Sequence, residues 1–322
     1  MRLGTFYFND RITNDMLKAQ AEMADAQLRL STGRRIVNPS DDPSGAKAVL
    51  DTEKFLATTA QYQENIQQIK PRLELEETVL ANAIEIMQRA REMSIQGATG
   101  VYTVQDRSFI ADEIDQLLDQ MLSLAGTKDA NDEYLFSGYN RKQEPVLTNF
   151  PKPPTLEADG SLPLNLFTYA GDQGDRKVPI AANRQVADTD NGYDTFFRVP
   201  DVNGGRTDVF STLYDLSATL RVDTTDPALA FEPDYQRVLK NIESAMDHMM
   251  AIRAKAGARA ATVDQQESAN ADFILNFESQ LSNIRDLDYA EAITKLNRDT
   301  TALQAAQNSY VKIQGINLFN YL

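Results

Sequence analysis

The chain has 322 residues, 47 acidic and 32 basic, for a net charge of −15 at pH 7. Apolar residues make up 42%, enough for a core, while the acid excess argues against binding nucleic acid or an anionic membrane surface. There is no cysteine and a single histidine, His248, which leaves almost no material for disulfides, thiolate chemistry, zinc or iron–sulfur sites or a Ser–His triad. No apolar run approaches the ~20 residues of a membrane span. The first ten residues do not read as a secretory signal peptide, and on composition alone the chain reads as cytosolic.

The elements follow from spacing. Ile12, Met16, Ala19, Met23, Ala26 and Leu30 recur at alternating steps of four and three, an apolar stripe on one side of a helix over about 12–31. Asp10 or Thr13 is a candidate cap, and Gly33 a left-handed stop. Asn38-Pro39-Ser40-Asp41-Asp42-Pro43 then forbids helix and offers capping side chains to the next one. The pattern resumes from Ser44 to about Gln96, a span of ~75 Å if unbroken. Pro71 is expected to kink that helix or divide it into two. Gly97 and Gly100 mark a turn, and a third helix over about 104–124 carries Ile110, Ile114, Leu117, Met121 and Leu124.

The middle differs. Nine of the twelve prolines lie between Pro145 and Pro233. Val146–Phe150, Asn165–Tyr169 and Thr195–Val199 are short, β-prone and bounded by Pro, Gly or Asp, which predicts a small antiparallel β domain at 140–205. Helical spacing returns with Val209, Leu213, Leu216 and Leu220, then with Val238, Ile242, Ala245, Met249, Ile252 and Ala256. Phe273, Phe277, Leu281, Ile284 and Leu287 continue an apolar face. A last helix after Asp288 has Ala292, Leu296, Leu303, Ala306, Tyr310 and Ile313 as buried positions.

The fold class is therefore mainly α with a β insertion: a long coiled-coil-like helical bundle from both chain ends, plus a small antiparallel β outer domain. The expected division is 1–43 with 288–322, 44–139 with 206–287, and 140–205. Neither terminal helix can realise its apolar burial alone in water, so each must meet a partner. The expected subunit-interface residues are Ile12, Met16, Ala19, Met23, Ala26, Leu30, Leu296, Leu303, Ala306, Tyr310 and Ile313. In a lone chain these stripes are expected to be exposed, and the ends poorly ordered until assembly.

Other features have plainer readings. His248 reads as structural. Asp188-Thr189-Asp190-Asn191-Gly192-Tyr193-Asp194 departs from a calcium loop in the place of its glycine and reads as a polar turn. Met246, Met249 and Met250 read as core filling, and Arg34, Arg35, Arg89 and Arg91 as solvated, with an inter-subunit ion pair open to the arginines. Gly97-Ala98-Thr99-Gly100 is unlike a phosphate loop. Glu74, Glu76 and Glu77 read as a solvated acidic face rather than paired catalytic carboxylates. No catalytic, cofactor or metal site is expected.

Two segments carry a family resemblance. Leu30-Ser31-Thr32-Gly33-Arg34-Arg35-Ile36-Val37-Asn38-Pro39-Ser40-Asp41-Asp42-Pro43 resembles the N-terminal signature of bacterial flagellins and hook-associated proteins. Ile284-Arg285-Asp286-Leu287-Asp288-Tyr289-Ala290-Glu291-Ala292 is similar to their C-terminal signature. The two prolines of the first motif, the segment Asp129–Tyr139 and the ending Ile313–Phe319 resemble a hook-associated member more than a filament flagellin. The resemblance covers 1–140 and 206–322.

The resemblance implies a non-enzymatic structural role without cofactors. The subunit would be exported unfolded through the flagellar type III channel, without a cleaved signal peptide, while a cytoplasmic export chaperone grips its C-terminal helix. Outside the cell it would form a layer of its own copies at the hook–filament junction, above hook-associated protein 1 and below the first flagellin. Two alternatives stay open: a flagellin of the filament itself, and a cytoplasmic coiled-coil adaptor, for which the heptads alone suffice. An enzyme in the middle domain lacks a cluster of titratable groups.

Overall fold

A computed structural model describes residues 2–98, 102–150, 152–157, 162–163, 165–222 and 231–315. Gly100 and the ending 316–319 lie outside these, as does the side chain of Ile313. Seven helices and three two-stranded antiparallel ladders are described. In chain order they are α1 (Arg2–Thr32), α2 (Pro43–Gly97), α3 (Val104–Ala125), β1 (Val146–Thr148), β2 (Phe167–Tyr169), β3 (Lys177–Ala181) and β4 (Arg184–Ala187). There follow α4 (Gly192–Phe196), β5 (Val199–Pro200), β6 (Arg206–Thr207), α5 (Val209–Leu220), α6 (Phe231–Arg285) and α7 (Tyr289–Gly315). The chain forms two compact units, Met1–Ala60 with Ala271–Leu322, and Gln61–Asn270.

In the second unit, α2 and α6 run antiparallel. Arg91 meets Glu243, Glu76 meets Arg259, and Lys70 meets Asp264 and Glu267. The facing stripe of α2 is Ile66, Ile69, Leu73, Glu76, Leu80, Ala83, Met87, Ala90 and Ser94, every one buried and each three or four residues from the last. That of α6 is Tyr235, Val238, Ile242, Ala245, Met249, Ile252, Ala256 and Val263, again all buried. This is heptad packing, with polar residues set into the seam at Glu76 and Ser94. The Ser94 and Tyr235 hydroxyls hydrogen-bond at 2.8 Å.

α3 and α5 close the core over this pair, through Ile114, Leu118 and Met121 on one and Phe210, Leu213 and Leu216 on the other. α3 starts on a capping box, in which Thr103 Oγ1 accepts the Asp106 N–H and the Asp106 carboxylate accepts the Thr103 N–H. The bonds from Thr103 hold the Asp106 carboxyl below the usual carboxylate range.

α2 continues through Pro71 as one helix, so of the kink or division expected there the division does not occur. Pro71 and Gln67, whose carbonyl loses its partner four residues on, both lie on the exposed side, so water can take that carbonyl. α1 begins at Arg2, so neither Asp10 nor Thr13 caps it.

The insertion is three separate ladders rather than one sheet. β1 and β2 pair as expected, with Leu147 opposite Thr168. The segment Thr195–Val199, expected as a strand, is instead the end of α4 leading into β5. Asn191 Oδ1 caps that helix by accepting the Asp194 N–H at 2.8 Å, and this local bond outweighs the β preference of Thr195 and Phe196. Phe136, Phe196, Phe210 and Phe167 form a continuous run of ring contacts that ties the insertion to α5. The β3–β4 hairpin lays Ile180 and Val186 on Ile66, Ile69 and Leu73 of α2 and Val263 of α6. Asn65 and Asn270 donate to the Pro179 and Ile180 carbonyls at 2.9 and 3.1 Å.

Gly138 turns the chain with φ +63°, and a Cβ there would overlap the Asp172 carbonyl oxygen. Gly138→Ala combines left-handed strain with a backbone clash. It is expected to cost about 2–4 kcal/mol, read as a lower urea midpoint at unchanged slope.

Candidate functional site

The first unit pairs the two chain ends. Gly33 lies against Tyr289, Thr300 Oγ1 lies 3.8 Å from Met23 Sδ, and Ile12 and Met16 line a cleft with Ala306 and Tyr310. α1 and α7 are therefore antiparallel in one register. That register sets Ala26 opposite Leu296, Ala19 opposite Leu303 and Met16 opposite Ala306, small against large. Ala26 and Leu303 are buried. Ile12, Met16, Ala19, Met23, Leu30, Leu296, Ala306 and Tyr310 are half-buried. The expectation that these stripes stand exposed in a lone chain is thus corrected: they cover each other, because both follow the same four-three spacing. Two helices side by side cover each seam from one side only, so most of its residues keep some exposure.

Sequence reasoning missed a second stripe on α1. Leu17, Ala21, Ala24 and Leu28 repeat the four-three spacing, each two residues before a seam residue, and all four are exposed. Leu17 is 58% exposed and Leu28 45%. The signal was legible, but the alanines made it weaker than the stripe across the helix from it. On α7, Ile293 and Val311 are exposed eighteen residues, five full turns, apart, and so on one face.

The helix pair is closed by its two turns, which are the two signature segments. Gly33 ends α1 at φ +65°. Its carbonyl accepts the Leu287 N–H at 3.0 Å, and the Arg35 N–H donates to the Arg285 carbonyl at 2.7 Å. These bonds flank an antiparallel bridge between Arg34 and Asp286. The Arg35 guanidinium donates from Nε and Nη2 to the Ile284 carbonyl, at 3.1 and 2.9 Å, one of the last-turn carbonyls of α6 that has no helical partner. Asp42 caps α2 through the Gly45 N–H and the Ser44 hydroxyl, and these bonds hold its carboxyl below the usual range. Asp288 caps α7 through the Ala290 and Glu291 N–H groups at 2.9 and 3.2 Å.

The remaining candidates fall elsewhere. His248 Nε2 bonds the Asp194 carbonyl at 2.9 Å, a structural contact. Met249 is buried, Met246 packs on the core and Met250 is exposed. Arg89 pairs with Glu92 and Glu113, and Arg91 with Glu243, all within the chain. The polar turn at 188–194 is held by arginines: Arg72, Arg141 and Arg176 converge on Asp188, and Arg259 on Asp190. The acidic run is not uniformly solvated, since Glu76 is fully buried. Among the described residues no group of three or more such side chains is placed to hold a metal ion. Nor is any helix among them long and apolar enough to cross a membrane.

The chain belongs to the bacterial flagellin family. The family's N-terminal helical region matches residues 7–141 and its C-terminal helical region residues 239–322. It is a structural component of the bacterial flagellum. It is similar along its whole length to flagellar hook-associated protein 3 of Escherichia coli strain K12, at 26% identity over 99% of both chains. Likeness to a filament protein is shorter: the 30.7 kDa flagellar filament core protein of Treponema maltophilum is 32% identical over 39% of this chain and 42% of its own. The fold is shared with the crystal structure of hook-associated protein 3 from Legionella pneumophila, at a TM-score of 0.65 and 20% identity, over 72% of this chain and 98% of that one.

Proposed function

We propose that this subunit forms the junction layer between hook and filament, on which flagellin assembles, and that it catalyses nothing. The reading is supported by the full-length likeness to hook-associated protein 3, against a likeness to filament proteins confined to about a third of the chain. The assembly domain is 1–43 with 288–322. The bundle is 44–139 with 206–287, and 140–205 is the outer domain. The seam residues Ile12, Met16, Ala19, Met23, Ala26, Leu30, Leu296, Leu303, Ala306 and Tyr310 hold the paired ends, and their uncovered sides contact neighbouring copies. Such contacts join unlike surfaces and build rings or helical lattices.

The partners are then its own copies in a ring-like layer, hook-associated protein 1 beneath and flagellin above. Export runs through the flagellar type III channel to the cell exterior, with a cytoplasmic chaperone on the C-terminal helix. Antibody labelling of intact flagella tests the position. Signal confined to the boundary between hook and filament is expected. Label along the whole filament makes the chain a filament subunit, and absence from sheared appendages makes it a cytoplasmic adaptor.

A further inference from the structure

Glu76 occupies a core position of the α2 stripe with no exposed surface. Its Oε1 accepts the Asp190 N–H at 2.8 Å, and its other carboxyl oxygen has no hydrogen-bond partner. That free oxygen lies 3.8 Å from Arg259 Nη1, but Arg259 makes its short contact, 2.6 Å, with Asp190. Two carboxyls, one on α2 and one on the segment between β4 and α4, thus face a single guanidinium from α6.

The surroundings do not supply a second one. A separate set of ion pairs joins Arg72 on α2 with Asp129, Glu133 and Arg141 after α3, and with Arg176 and Asp188 around the hairpin. That set is balanced, three carboxyls to three guanidiniums, whereas Glu76 and Asp190 share Arg259 alone. Glu77 and Arg253 pair with each other. On its far side Asp190 borders an open cavity of about 450 Å³, whose other charged or titratable groups are Asp175, Asp194, Arg198, Arg206, His248 and Lys255. These groups border solvent, where their fields are screened. A cluster one cation short around a buried carboxyl is neutralised most simply by a proton.

We infer that the Glu76–Asp190 pair holds one proton, and that this proton fastens the insertion, from β3 through α4, to α2 and α6. Burial pushes the Glu76 carboxyl up to about 8, the Asp190 charge pushes the same way, and Arg259 opposes both. The folded state therefore keeps a proton that the unfolded chain releases near the ordinary glutamate value of 4.5. The stability this contributes is complete below that value and is lost as pH rises towards 8.

Hydrogen exchange of the full chain between pH 6 and 9, corrected for the intrinsic rate, tests this. The opening equilibrium of amides in 177–199 is expected to rise about tenfold from pH 7 to pH 9, as one proton lost across a midpoint near 8 requires. In Glu76→Gln, which carries the pair's hydrogen permanently, the same amides are expected to show no such rise. Asp190→Asn leaves Arg259 to Glu76 alone and is expected to move the rise to lower pH, which keeps the test decisive if Glu76→Gln does not fold. A flat profile in the unmodified chain, or the unmodified profile in a folded variant, overturns the inference. Neither outcome bears on the place of the subunit in the flagellum.

Discussion

Leu28→Asp combined with Leu17→Asp should leave the isolated subunit with its full helix content and stop filament growth from the hook. Both leucines are exposed on the outer stripe of α1. An aspartate there is solvated in the free subunit at no great cost. In a lattice it would be buried against an apolar neighbour, at roughly 2 kcal/mol or more for each contact and repeated in every copy. Leu303→Asp is expected to act one step earlier. It places a charge in the buried seam between α1 and α7, which costs about 3 kcal/mol or more and melts the pair. Circular dichroism separates the two, since helix is lost in Leu303→Asp and retained in the double variant. Normal growth with the double variant removes the outer stripe from the assembly surface.

Asp188→Ala is expected to be the most damaging single change in the second unit. Its carboxylate is 2% exposed and takes Arg141 at 2.5 Å, Arg176 at 2.8 Å and Arg72 at 3.5 Å. Arg72 is itself buried, and burial already pulls its guanidinium below the usual arginine value. Taking the carboxylate away leaves converging positive charges with too little to answer them, a loss of about 3–5 kcal/mol. For a unit of this size that is a fall of roughly 10 °C in Tm, measurable by calorimetry. Asp188→Asn keeps an acceptor for the arginines and should fall less. A change within 2 °C for Asp188→Ala would show that the network is spread too widely for one member to matter.

The helices were the legible part of the fold. The stripes from Ile12 to Leu30 and from Val238 to Ala256 fix helical period without help from tertiary structure, and Gly33 stops α1 as its residue type demands. The β3–β4 hairpin was not legible. Its alternation of Val178, Ile180 and Val186 is short and contains Pro179, which reads as a breaker, whereas the fold gives it shelter between α2 and α6. Glu76 was misread for a different reason. Its neighbours Glu74 and Glu77 made it part of an acidic run, while its spacing from Leu73 and Leu80 puts it on the core stripe. Periodicity outranked composition there. The seam residues were legible, but their mutual cover was not, because a stripe states that a partner exists and not which chain supplies it.

The bridge between the two signature turns joins residues 249 positions apart, Arg35 and Ile284. A ribosome adding ~5–20 residues each second completes α1 many seconds before its mate exists. Through that interval the first helix can have neither its clasp nor its seam, and a chain cut short before residue 284 can never acquire them. The first unit is consequently a late-forming element whose appearance reports that synthesis has passed α7.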